Sequence, residues 1–294
     1  MTVITVGNMK GGVGKTTLSL LFARYLANRG YTVFLVDADP QGTLSAAVLS
    51  DRIDLFDERG RLTLGMHVVL REFLENRSLS NEILMNNVVF VESPTEPFWL
   101  LPNCVVSSHY DYKLKEMGKQ LVVFRHILRL IDIDPDVVIF DTPPYFNSFL
   151  VASLVCSDCL LIPAETSIQA LSGVYEMLDL VLDYQRDGIM DLRNIRILPS
   201  KHKRTRIAEL VLDRLVENFG DYLLEGGKVY FPFTELCNRV FCGEISLEQV
   251  KQEAEKSKKD NSMASRLLKF LKLLETEVVL PYASEETLAK LVKE

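Results

Sequence analysis

One stretch near the N-terminus constrains this chain more than any other: Lys10-Gly11-Gly12-Val13-Gly14-Lys15-Thr16-Thr17. It follows a β-branched run, Thr2–Gly7, and precedes apolar residues at helical spacing over Leu18–Asn28, which Gly30 ends. Glycines between a strand and a helix let the backbone curl until successive N–H groups point at one anion. The helix that follows adds the positive end of its dipole. Thr32–Val36 reads as a second strand and runs into Asp37-Ala38-Asp39-Pro40-Gln41-Gly42. A strand–loop–helix–strand unit of this kind belongs to a parallel sheet.

The rest of the chain repeats the theme. Short strands are predicted at Val88–Val91 and Trp99–Leu101, and continuous buried-type strands at Asp136–Phe140, Cys159–Pro163 and Asn194–Leu198. Helices are predicted over Leu64–Leu74, Gln120–Ile131, Ile168–Tyr184 and Thr205–Phe219, and a mainly helical part from about Gly243. Ser50–Arg61 reads as a surface excursion. The expected fold is α/β: a doubly wound, mostly parallel sheet flanked by helices, in one domain spanning residues 1–294. The tail 278–294 has no assigned role. With 48% apolar residues the chain can bury a full core, and its net charge of −7 confines any polyanion binding to local patches. Five cysteines without framework spacing, no apolar run of membrane-spanning length and no leader-like N-terminus predict a soluble cytoplasmic protein.

The loop's chemistry can be assigned residue by residue. Gly11, Gly12, Val13, Gly14 and Thr17 supply backbone to phosphate. Lys15 reaches the β- and γ-phosphates, and Thr16 offers its hydroxyl to Mg²⁺. Asp141 ends an apolar strand, the placement of a carboxylate that holds Mg²⁺, often through water. The ordinary phosphate-loop pattern wants a glycine where Met9 stands, and beside that departure is an extra lysine, Lys10.

With these residues in view, the sequence resembles the ParA/MinD family of partition and positioning ATPases, whose loop reads Lys-Gly-Gly-x-Gly-Lys-Thr-Thr. The resemblance covers roughly residues 1–277 and is strongest in the first 45 and at Val137–Pro144. It implies that Lys10 crosses a dimer interface to the partner's nucleotide. It also implies that Asp39 positions or activates the attacking water, with Asp37 near the magnesium shell. The alternative for either aspartate is capping of the next helix. Asp-x-Asp-Pro-Gln-Gly is the ParA-like form of this stretch, and Thr142-Pro143-Pro144 resembles the second switch. Guanine-binding proteins use an Asn-Lys-x-Asp element, which is absent. The resemblance puts adenine near Pro199 and Ser200, so the expected cofactors are ATP and Mg²⁺.

The implied function is a ParA-like, Mg-dependent partition ATPase. It forms an ATP sandwich homodimer, binds DNA nonspecifically over the nucleoid and hydrolyses ATP when a centromere-binding (ParB-like) or adaptor protein stimulates it. The cargo would be plasmid or chromosome DNA. Alternatives are a membrane-cycling regulator of the MinD type and the positioning of a protein cargo. Candidate DNA contacts are Lys201, Lys203, Arg204 and Arg206, then Arg239, then Arg266, Lys269 and Lys272, which recur every third position on one helical face. Glu285–Glu294 holds only Leu288, Leu291 and Val292 as apolar anchors, too few for a membrane-binding helix. Cys156 and Cys159 form a Cys-x-x-Cys that runs into an apolar strand, where buried cysteine is ordinary.

Overall fold

In a computed structural model, which describes residues 1–192, 194–202, 205–257 and 262–291, seven strands form one sheet in the order β3-β4-β2-β5-β1-β6-β7. They are β1 (Thr2–Val6), β2 (Val33–Asp37), β3 (Val89–Val91), β4 (Phe98–Leu101), β5 (Val137–Asp141), β6 (Cys159–Glu165) and β7 (Asn194–Ser200). Every pairing is parallel except β3 with β4. β1, β2 and β5 are buried at every residue, which explains their unbroken apolar runs.

Helices cover both faces. On one, Lys15–Asn28 packs with Glu235–Phe241, Leu247–Lys256 and Met263–Leu274 in a core that includes Phe22, Leu26, Leu236, Phe270 and Leu271. On the other, Phe124 stacks on Phe140 and packs at a tilt against Phe149. Beside them Ile168–Arg186 and Arg206–Phe219 cover β6 and β7.

The helices Thr43–Val48, Asn81–Met85, His109–Glu116, Ser148–Val155 and Glu235–Phe241 were not legible from sequence. Ser148–Val155 is buried at all eight positions, so it carries no amphipathic period to read. Ser50–Arg61 does lie largely at the surface, with one short turn at Ile53–Leu55 and a bridge from Phe56 to Leu62.

Strand register sets up the site. Asp37 and Asp141 are direct partners on β2 and β5, and Val6 pairs with Asp141. The glycine loop therefore leaves β1 at the sheet edge where both carboxylates end their strands. Asp136 sits at the opposite edge, where its carboxylate accepts from the Thr32 amide and the Thr287 hydroxyl, 2.8 and 2.6 Å away.

Candidate nucleotide site

The loop is held from below and from both sides. Asn8 is fully buried. Its amide donates to the Pro163 carbonyl at 2.8 Å, and its side-chain oxygen accepts from the Lys10 amide at 2.8 Å. Gly173 makes room for that bridge: a Cβ there would stand 2.5 Å from the Asn8 oxygen and 3.2 Å from the Lys10 nitrogen. Gly12 and Gly14 hold φ of 75° and 98°, the left-handed region in which an L side chain is strained. Ser200 donates to the Val13 carbonyl at 2.9 Å and fixes the outer limb of the loop to the end of β7.

Inside the loop, Lys15 is 7% exposed and donates to the Lys10 carbonyl at 3.1 Å. Burial pushes its ammonium below the ordinary lysine range, while the charges of Asp141 and Asp39 oppose the shift. Ser19, one helical turn on, donates to the Lys15 carbonyl and to Asp141, both at 3.0 Å. Asp141 is 1% exposed. Burial pushes its carboxyl up to about 7, against hydrogen bonds from Thr16 and Ser19 and the charge of Lys15.

Asp37 is wholly buried. Its carboxylate accepts from the Ser45 amide at 2.9 Å, the Ser45 hydroxyl at 2.6 Å and the Asp39 amide at 3.2 Å. Gly42, at the N-cap of Thr43–Val48, has no side chain to offer, and Asp37 takes over its capping work from the strand. Burial, with Asp141 adding to it, raises the Asp37 carboxyl well above its usual range. Asp39 is half-buried, accepts from the Gln41 amide at 2.9 Å and is raised by burial while Lys15 pulls it down.

Two buried carboxylates on paired strand ends, both pushed toward the neutral form, are the electrostatic setting that a bound cation relieves. Mg²⁺ favours hard oxygen donors, takes one or two carboxylates and shares the rest of its shell with water and phosphate. The Thr16 hydroxyl and the Asp141 carboxylate fit that demand. Asp37, with its oxygens committed to Ser45 and Asp39, fits a place behind them.

The fold thus gathers Lys10, Gly11, Gly12, Val13, Gly14, Lys15, Thr16, Asp39, Asp141 and Ser200 at one edge, with Asp37 beneath. Beside them opens a cavity of about 770 Å³ lined by His202, Thr205, Tyr230, Phe231 and Phe233 among others. Among the predicted DNA contacts, Lys201 turns inward. Its ammonium donates to the Gly12 carbonyl and lies 4.5 Å from the centre of the Phe233 ring. Arg206, Arg239, Arg266, Lys269 and Lys272 are exposed, and Arg239 pairs with Glu244 at 3.7 Å. Lys203 and Arg204 lie outside the described residues. Asn8, Ser19, Gly173 and Phe233 escaped the sequence reading. Only Ser19, one turn after Lys15, had a spacing that could have revealed it. Burial pushes both thiols of the Cys-x-x-Cys pair upward, Cys156 to about 12.

A family profile described as an AAA domain matches residues 1–195. The chromosome-partitioning ATPase Soj of Thermus thermophilus is 30% identical over 220 residues, which make up 74% of this chain and 77% of that protein. The chain belongs to the ParA/MinD family of P-loop ATPases. The maintenance of carboxysome distribution protein A of Synechococcus elongatus is 29% identical over 207 residues, 69% of this chain and 73% of that protein. Among solved structures, an ATP complex of Cyanothece McdA superposes with a TM-score of 0.71 at 17% identity, over 93% of this chain and 96% of that one. That likeness is one of fold: a sheet flanked by helices on both faces. No helix among the described residues is long and apolar enough to cross a membrane.

Proposed function

We propose that this chain works as one ATPase unit that binds MgATP at Lys10–Thr17, dimerises around it and hydrolyses it slowly until a partner stimulates turnover. One observation carries the reading. Lys15 turns into its own loop, whereas the Lys10 ammonium makes no hydrogen bond or ion pair among the described residues. Lys10 is held by its backbone alone, on Asn8 and over Gly173. Its charge is left for the nucleotide of a second copy.

The chemistry follows from positioning and charge. Loop amides and Lys15 hold the phosphates, and Lys10 of the second copy adds charge where it develops on the transferred group. Asp39, on the turn facing Lys15, orients the attacking water. Mg²⁺, held by Thr16 and Asp141, would supply charge neutralisation between the phosphates. Adenine lies beside Pro199 and Ser200, in the cavity that Phe233 borders.

DNA binding draws on the exposed Arg206, Arg239, Arg266, Lys269 and Lys272, through phosphates and without sequence preference. The stimulating partner is a centromere-binding or adaptor protein, and the setting is the nucleoid in the cytoplasm. The Soj relative favours DNA as cargo. The carboxysome-distribution relative favours a second reading, a protein assembly carried by the same cycle. Dimer mass with ATP and with ADP tests the core of the proposal: ATP should give a dimer in wild type and not in Lys10→Ala. A dimer of equal strength in that variant, hydrolysing at the wild-type stimulated rate, overturns it.

A further inference from the structure

A groove of about 480 Å³ lies between the helix Met263–Leu274 and the segment 225–232. Its floor is apolar, built from Val229, Phe270 and Leu273. Lys228, Arg266 and Lys272 stand around it, and Glu225 is the one carboxylate among the lining residues. In a chain of net charge −7 this is a local reversal of sign. The segment beside the floor is also open to pairing. The Phe231 amide donates to Pro199 at 2.7 Å, but the backbone groups of Val229 and Tyr230 make no hydrogen bond among the described residues.

These features call for different things from an occupant. Cations select negative charge, an apolar floor selects an aliphatic or aromatic side chain, and unpaired backbone selects another extended backbone. A DNA phosphate chain would use the cations and leave the floor unused. An acidic peptide with an apolar anchor uses all three. We propose that this groove docks an acidic, extended segment of a partner protein, with one leucine or phenylalanine seated on Leu273 and Phe270. The proposal does not depend on the nucleotide reading, because none of the phosphate-loop residues lines the groove.

The test is selection of random twelve-residue peptides displayed on phage against the full chain, followed by anisotropy titration of the enriched peptides. Enriched sequences should combine aspartate or glutamate with a leucine or phenylalanine. Lys228→Glu with Lys272→Glu, both at exposed positions, should weaken their binding by about tenfold or more. Leu273→Ser should weaken it by about tenfold, the scale of one apolar side chain leaving its pocket, and should leave DNA binding unchanged. Thermal melting and nucleotide binding confirm that the variants fold. Enriched peptides without acidic residues, no enrichment, or binding indifferent to Leu273→Ser each overturn the proposal.

Discussion

Gly173→Ala sets two physical effects against each other. Gly173 is interior to the helix Ile168–Arg186, where replacing glycine by alanine normally stabilises by about 1 kcal/mol. Here the added Cβ would stand 2.5 Å from the Asn8 side-chain oxygen and 3.1 Å from the Lys10 Cβ. Asn8 must move, and it holds two bonds of 2.8 Å, to the Pro163 carbonyl and from the Lys10 amide. Leaving buried polar groups of this kind unpaired costs about 1–3 kcal/mol each. Subtracting the helix gain leaves a net cost of about 1–5 kcal/mol, concentrated in the phosphate loop. Nucleotide binding should weaken by roughly fivefold to several thousandfold, since about 1.4 kcal/mol is a factor of ten. Titration with a fluorescent ATP analogue, alongside thermal melting without nucleotide, measures both sides. A variant that melts higher and binds ATP as wild type does would show that helix propensity wins and that Asn8 is not a strut of the loop.

Other expectations follow from the same geometry. Lys10→Ala should keep nucleotide affinity within a few fold but lose about a thousandfold of stimulated hydrolysis, the scale of a charge supplied in trans; single-turnover and stimulated assays separate the two. Asp141 has a folded-state carboxyl raised from 3.8 to about 7, so the folded form holds the proton more tightly than the unfolded chain. Stability without metal should therefore fall as pH rises through that window, and melting curves for Asp141→Asn should lose that contribution. Magnesium-dependent nucleotide binding should run the other way and weaken below about pH 7. Glu275 is 4% exposed and accepts from the Tyr25 and Tyr31 hydroxyls at 2.8 and 2.9 Å. Glu275→Ala should destabilise by about 2–5 kcal/mol in denaturant unfolding while leaving nucleotide affinity intact.

The legible parts of this protein are those whose causes are local. Strand β1, the loop and the helix Lys15–Asn28 announce themselves because β-branched residues, glycines and helical spacing act over a few neighbours. Asp37 and Asp141 were found because each ends an apolar run. Their pairing in register was not legible, since it depends on β2 and β5 being neighbours in the sheet. The inward turn of Lys201 escaped notice for a related reason. A lysine in a basic stretch reads as surface charge, yet here its partner, Gly12, lies 189 residues away in sequence.

Sequence alone determined the strand–loop–helix unit, the carboxylates at the strand ends and the family to which they point, because backbone preference and burial period are written in adjacent residues. Tertiary structure decided what supports that unit: Asn8 over Gly173, Ser200 on Val13, Asp37 on Ser45 and the raised carboxyl of Asp141. Each depends on packing between segments far apart in the chain, and burial and bonding distance exist only once those segments meet.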